Sequence, residues 1–301
     1  MTSRHERLYV AHTTANLVSV VDTETQETLS TIEVGASPFR VVASQDGTRA
    51  YVTSMGAGRL TVLDTATDAV VATVQVGERP LGVSALPDGS RVYVANQGSG
   101  TVSVINTATH AVVATIAVQD EPNGLTVARD GSRVYVANDG SDSVSVICPA
   151  TDTVVATIPV VDTPYTLATT PDGTRGYVAG FDAGTVAVLD LVAHEQCGLI
   201  RLGSGPSGVV ISPDGTRAYV SQFAANAVAV LELPAERVLT VIPVGRGPLG
   251  AAISPDGARL YVPSFNEGTV SVIDAASGAV TGVLPVSRPM SVAVVAPPSS
   301  G

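Results

Sequence analysis

Pro80-Leu-Gly-Val-Ser-Ala-Leu86, Pro87-Asp-Gly-Ser90, Arg91-Val-Tyr-Val-Ala-Asn96, Gln97-Gly-Ser-Gly100, Thr101-Val-Ser-Val-Ile105, Asn106-Thr-Ala-Thr-His110 and Ala111-Val-Val-Ala-Thr-Ile-Ala-Val118 form one continuous stretch that decides the fold. Four short runs rich in β-branched residues alternate with turn chemistry, and none has a helical apolar period. In Pro-Asp-Gly, proline presets φ, aspartate bonds back to the backbone and glycine accepts positive φ. The unit recurs: its tyrosine stands at Tyr9, Tyr51, Tyr93, Tyr135, Tyr177, Tyr219 and Tyr261, always 42 residues apart. Seven such units leave only seven of the 301 residues over, so one repeat fills the chain and overrides the two domains that length alone suggests.

Four strands of about five to seven residues in each unit fit the blade of a β-propeller, whose repeats run to about 40–50 residues, whereas a β-solenoid needs shorter repeats. Outward from the axis, the Pro-led run is strand A, the Tyr-Val run B, the Thr-Val-Ser-Val-Ile run C and the Val-Val-Ala-Thr-Ile run D. The chain starts in a strand B, Arg7 to Ala11, and finishes in a strand A, Met290 to Val295. The reading is therefore all-β: a seven-bladed propeller of four antiparallel strands per blade, closed by the last strand completing the first blade. Closure removes the edges that an open array would leave for aggregation. Residues 1–296 are expected to form one propeller and 297–301 a disordered tail.

Hydrophobic residues at 45% and charged residues at 14%, with 29 Gly, 19 Pro and no Trp, exclude a disordered, coiled-coil or collagen-like chain. The 16 basic residues, all Arg, face 27 acidic ones; a net charge of -11 argues against nucleic acid and anionic membranes as partners. No apolar run approaches the roughly 18 residues of a membrane span, and Met1 to Val10 shows no signal-peptide pattern, so a cytoplasmic protein is expected. Cys148 and Cys197 match no metal or redox spacing.

Tyr-Val-Ala-Asn at 93–96 and 135–138, with Pro-Asp-Gly or Arg-Asp-Gly before and Val-Ser-Val-Ile after, resembles the YVTN family of seven-bladed β-propellers, related in architecture to the lactonase-type propellers. The resemblance covers all seven units, departing where the asparagine becomes His12, Ser54, Gly180, Gln222 or Ser264. It implies the fold and leaves function open, since such families include lactonases, lyases, electron-transfer subunits, surface-layer proteins and scaffolds.

Each column of the seven units serves as an internal comparison. The column arginines from Arg7 to Arg259, the column aspartates from Asp46 to Asp256 and the seven tyrosines belong to the framework, as turns, ion pairs and core. Outliers cluster on the top face, where the D-to-A and B-to-C connections emerge: Phe39, Phe181, Phe223, Phe265, Tyr165, Met55 and Met290. These rings either fill loop gaps or line a ligand site. Arg246, Arg288, Arg40 and Arg79 gather on one side, and Asp120, Glu121, Asp139, Asp142, Asp162 and Asp182 on the other. Arg40 stands where other units carry Gly82, Gly124, Thr166, Gly208, Gly250 and Ser291, all small near the axis. Its guanidinium either anchors a carboxylate or pairs with a buried acid.

His12 is a candidate general base, with its pKa lowered by neighbouring cations, or a passive loop histidine. No metal site and no cofactor are expected: His110 and His194 lie on the opposite face, and no calcium loop, phosphate loop or Ser-His-Asp set occurs. The first functional reading is a small, anionic, partly apolar molecule bound at the top mouth. Arg40, Arg79, Arg246 and Arg288 would hold the anion and the rings its apolar part. His12, Tyr165 or Glu121 would move protons if metal-independent lyase, isomerase, cyclase or hydrolase chemistry follows. The alternative is a protein-interaction scaffold using the aromatic and Arg-rich top face.

Overall fold

The computed structural model describes residues 5–160, 163–203 and 205–296; the expected tail at 297–301 and Asp162 lie outside them. The described residues form 28 strands, numbered β1 to β28 in chain order, in seven four-stranded antiparallel sheets. The first sheet runs β28 (Pro289–Val295), β1 (Arg7–His12), β2 (Leu17–Asp22), β3 (Thr28–Glu33), and the ladder between β28 and β1 pairs Arg7 with Val295 and Tyr9 with Ala293. Strand A of blade one is thus contributed from the other end of the chain.

Why the four runs of a repeat behave differently follows from where they lie. Strand B is buried on both faces, as in Arg91–Asn96, because a neighbouring blade covers each side. Strand D, farthest from the axis, keeps one fully buried apolar position, Ile116 in blade three and Ile158 in blade four, and leaves its other residues half-buried or exposed. Seven apolar clusters result, and each is shared by two adjacent blades. Tyr9 packs with Val41 and Val52 of blade two, for example, and Tyr261 with Leu8 and Val292 of blade one. The core is a ring of inter-blade seams.

The framework columns divide their labour. The Pro-Asp-Gly aspartates are turn caps: Asp46 accepts from Thr48 N and the Ser44 hydroxyl. The acids paired with column arginines come mainly from the C-to-D turns, either the next blade's (Arg7 with Asp68, 3.2 Å; Arg91 with Asp152, 2.9 Å) or the same blade's (Arg49 with Asp64, 2.8 Å).

Strand A departs from a regular ladder. In blade two Pro38 pairs with Ser54 but Arg40 with Thr53, so Phe39 is an extra, bulged residue, and register shifts there in blades one to six. A bulge re-aims side chains. In blade seven the expected strand of five to seven residues shrinks to β24 (Ala252–Ile253), with an isolated Pro248–Ser264 bridge before it. Gly250, at φ +72°, turns the backbone out of the ladder there, a conformation other residues rarely adopt.

Candidate functional site

Bulging turns two successive columns of strand A toward the axis at different depths. The position after the proline holds Phe39, Leu81, Asn123, Tyr165, Ser207, Leu249 and Met290. Phe39, Tyr165, Ser207, Leu249 and Met290 surround, with Arg40 and Gly250, a top pocket of about 10 Å³, room for a single water. Leu81 and Asn123 are buried. The next position lines a larger axial cavity of about 270 Å³, with Arg40, Gly124, Thr166, Gly208 and Gly250 above Val42, Ser84, Thr126, Ala168 and Val210. Sequence reading found Phe39, Tyr165 and Met290 as outliers but missed Asn123, Ser207 and Leu249; the column itself was the signal.

The small residues are small because strands A crowd together. A Cβ on Gly82 would lie 2.4 Å from the Asn123 carbonyl oxygen, and one on Gly208 2.3 Å from Gly250 Cα. Arg40 fits because its side chain reaches over Gly250, whose missing Cβ would lie 3.6 Å from Nη1. Its guanidinium borders both cavities, half-buried, and has no carboxylate or hydrogen-bond partner among the described residues. Desolvation lowers its pKa from the ordinary arginine value, and the nearby Tyr165 phenol opposes that shift. At the opposite end, Arg129 reaches from blade four to the Pro213 carbonyl of blade six, at 3.1 Å.

Outward from the mouth, Tyr165, Phe181 and Phe223 make a chain of tilted rings with centroids 5.8 and 5.9 Å apart. Phe265 stands under Arg288, whose guanidinium carbon is 5.9 Å from the ring centroid, a cation–π contact. The side chains expected in one cavity are thus divided: of the rings only Phe39 and Tyr165 border the pocket, together with Met290. Met55 is half-buried, and Arg79, Glu121, Arg246 and Arg288 are exposed; none of these five lines either axial cavity. Arg246 pairs with Glu267 at 2.8 Å. On the acidic side, burial raises the pKa of Asp139, the Asn123 amide lowers it, and Glu121, Asp182 and Asp142 raise it further.

His12 is 3% exposed and fully engaged: Nδ1–H donates to the Ser287 carbonyl at 2.6 Å, and Nε2 lies 2.7 Å from the Ser19 hydroxyl, which donates to it when the ring is neutral. Asn96 joins the same positions in blade three with the polarity reversed, its Oδ1 accepting from Gly77 N and its Nδ2 donating to the Ser103 hydroxyl. Burial lowers the His12 pKa, partly offset by the Ser287 carbonyl; Arg40 and Arg288, the expected cause, play no part. The geometry makes His12 a clamp between strands B and C and the incoming loop. Burial also raises the Tyr165 pKa, against the effect of Arg40. Among the described residues no group of three or more His, Cys, Asp or Glu could hold a metal ion, and no helix is long and apolar enough to cross a membrane.

Seven four-stranded blades around a short axial cavity define a seven-bladed β-propeller. The sequence matches the YNCE-like beta-propeller family over residues 2–91 and 83–184, and the chain belongs to that family. No curated protein matches the chain. Among solved structures, it is similar to a functionally unknown protein from Desulfotomaculum acetoxidans (TM-score 0.85, 18% identity, 97% of this chain and 99% of that one). It is similar also to a putative 6-phosphogluconolactonase from Bacteroides uniformis (TM-score 0.83, 18% identity, 97% and 100%). Hydrazine synthase of Kuenenia stuttgartiensis aligns with TM-score 0.80 and 23% identity over 85% of this chain and 89% of that one. At these identities the likeness is one of fold.

Proposed function

We propose that this propeller binds a small anion in its axial cavity, held from above by the Arg40 guanidinium. The observation that carries this reading is an unpartnered guanidinium on a cavity of about 270 Å³. Burying an uncompensated charge costs several kcal/mol, so an arginine in a column of small residues calls for an anion that offsets it. The ligand is partly apolar, because Val42, Val83, Leu125, Leu167 and Val209 share the wall with Ser84, Thr126 and Thr166. It lies below the mouth rather than in it, since the top pocket holds one water at most. Arg79, Arg246 and Arg288 act at long range on the rim, and proton transfer is no part of the proposal: His12 is committed to the framework and Glu121 to solvent.

The test is Arg40→Gly, the column residue, titrated with a panel of small carboxylates and phosphates. Binding should weaken by about 2–5 kcal/mol, the range for losing a buried charged partner, while the unfolding midpoint holds or rises. A fall in midpoint with unaltered binding would return Arg40 to the framework.

The closed mouth favours a second reading, in which the top face docks a protein segment across the Tyr165, Phe181 and Phe223 rings. Phe181→Ala with Phe223→Ala would then abolish capture of that partner and leave anion binding intact.

A further inference from the structure

The repeat supplies its own template for a second site, on the face opposite the mouth. Between blades one and two, Arg7 and the Tyr9 hydroxyl hold the Asp68 carboxylate, at 3.2 and 2.5 Å, while Arg7 also donates to the Thr65 carbonyl. Between blades three and four the arrangement recurs: Arg91 and the Tyr93 hydroxyl reach the Asp152 carboxylate at 2.9 and 3.1 Å, and Arg91 donates to the Pro149 carbonyl. Asp68 and Asp152 occupy one column of the C-to-D turn, both with positive φ.

Between blades six and seven every part of this clamp is present except the acid. Arg217 donates to the Ala275 carbonyl at 2.7 Å and the Tyr219 hydroxyl to the same oxygen at 3.3 Å. The column residue is Gly278, also at positive φ. Arg217 has no carboxylate partner among the described residues; Glu232, the acid paired to it across strands B and C, bonds Arg237 instead. Beside Arg217 and Tyr219 lies a cavity of about 400 Å³, lined also by Ser212, Asp214, Asp256 and Asp274 among others.

We infer that this inter-blade pocket binds a small free carboxylate, which takes the place of the missing side chain against Arg217 and Tyr219. The three aspartates refine the ligand class. Asp214, Asp256 and Asp274 each accept from their own turn, through Thr216 N, Ala258 N and Ser277 N, and remain acceptors with negative charge. They disfavour a second anionic group and favour an ammonium group, so a small amino acid in its zwitterionic form binds more tightly than a plain carboxylate of equal size. The site is independent of Arg40 and of the axial cavity.

Gly278→Asp tests this, because it restores the tethered carboxylate at a position whose backbone Asp68 and Asp152 already adopt; the tightest contact of its Cβ is the terminal Cδ1 of Ile242, at 3.3 Å. The melting temperature is measured with acetate and with glycine at millimolar concentration, ionic strength held constant with chloride, for wild type, Gly278→Asp, Arg40→Gly and the double variant. Wild type and Arg40→Gly should be stabilised by both probes, more by glycine; Gly278→Asp should melt higher unaided, lose the preference for glycine and respond only through Arg40, and the double variant should respond to neither. The inference fails if wild type shows no shift with either probe, whatever the melting point of Gly278→Asp, or if Gly278→Asp keeps the wild-type response. A response lost in Arg40→Gly but kept in Gly278→Asp would place the carboxylate at the axis and overturn the inference while supporting the axial reading.

Discussion

His12 illustrates what one residue can and cannot disclose. As a break in an asparagine column it looked like chemistry, yet the ring clamps the same positions as the Asn96 amide, with donor and acceptor exchanged at both ends. Its folded pKa lies below the ordinary 6.5 because burial penalises the imidazolium. The unfolded chain therefore takes up a proton near pH 6.5 that the fold refuses until lower pH. The stability from the neutral ring is complete above that value and is lost as pH falls through it toward the folded pKa. His12→Asn should retain the clamp, unfold within about 1 kcal/mol of wild type at neutral pH, and flatten this part of the pH profile. Urea midpoints of both proteins between about pH 7.5 and 5 check it; parallel curves would show that His12 contributes nothing to acid sensitivity. The column break was legible in the sequence, but its role was not, because the partners Ser19 and Ser287 lie 7 and 275 residues away.

At the scale of the strand, the alternation of β-branched runs and turns makes the strands and their order readable in the sequence. The bulge in strand A was not, since it arises where the blades converge and no local signal records it. That bulge is why Phe39 and Arg40 both border the top pocket, whereas Phe181, Phe223 and Phe265 stand on the B-to-C connections and do not line it. Gly208 tests the crowding that accompanies it. An alanine there would put Cβ 2.3 Å from Gly250 Cα and 2.9 Å from its nitrogen, backbone atoms that cannot swing aside. Gly208→Ala should cost about 1–3 kcal/mol, the usual price of overpacking, and weaken anion binding by displacing the glycine over which Arg40 lies. Thr166, in the same column, shows that blade five tolerates a side chain at this depth, so Thr166→Ala should cost less. Chemical denaturation of both variants decides it, and equal midpoints would remove crowding as the reason for the small column.

For the whole molecule, the 42-residue step fixes seven blades, and the phase of the ends makes the last strand a partner of the first. Each blade's two faces belong to different apolar seams, so the fold is held as a ring and one defect touches two seams. Strand β28 is the extreme case: Val292 packs into the seam with blade seven, while Ala293 and Val295 pack into the seam with blade two. Deleting residues 289–301 strips both and bares the whole edge of β1. The two buried valines alone represent about 3–6 kcal/mol of burial, comparable with the 5–15 kcal/mol that holds a typical domain together. The truncated chain should lose its single cooperative melting transition, and a synthetic peptide spanning residues 287–296 should restore it in a concentration-dependent way, because the strand would then bind its own vacated edge. Calorimetry with and without the peptide distinguishes the cases. A truncated protein that melts as one unit at the full-length temperature would mean that blade one holds the ring with three strands, and that pairing between the ends is incidental to stability.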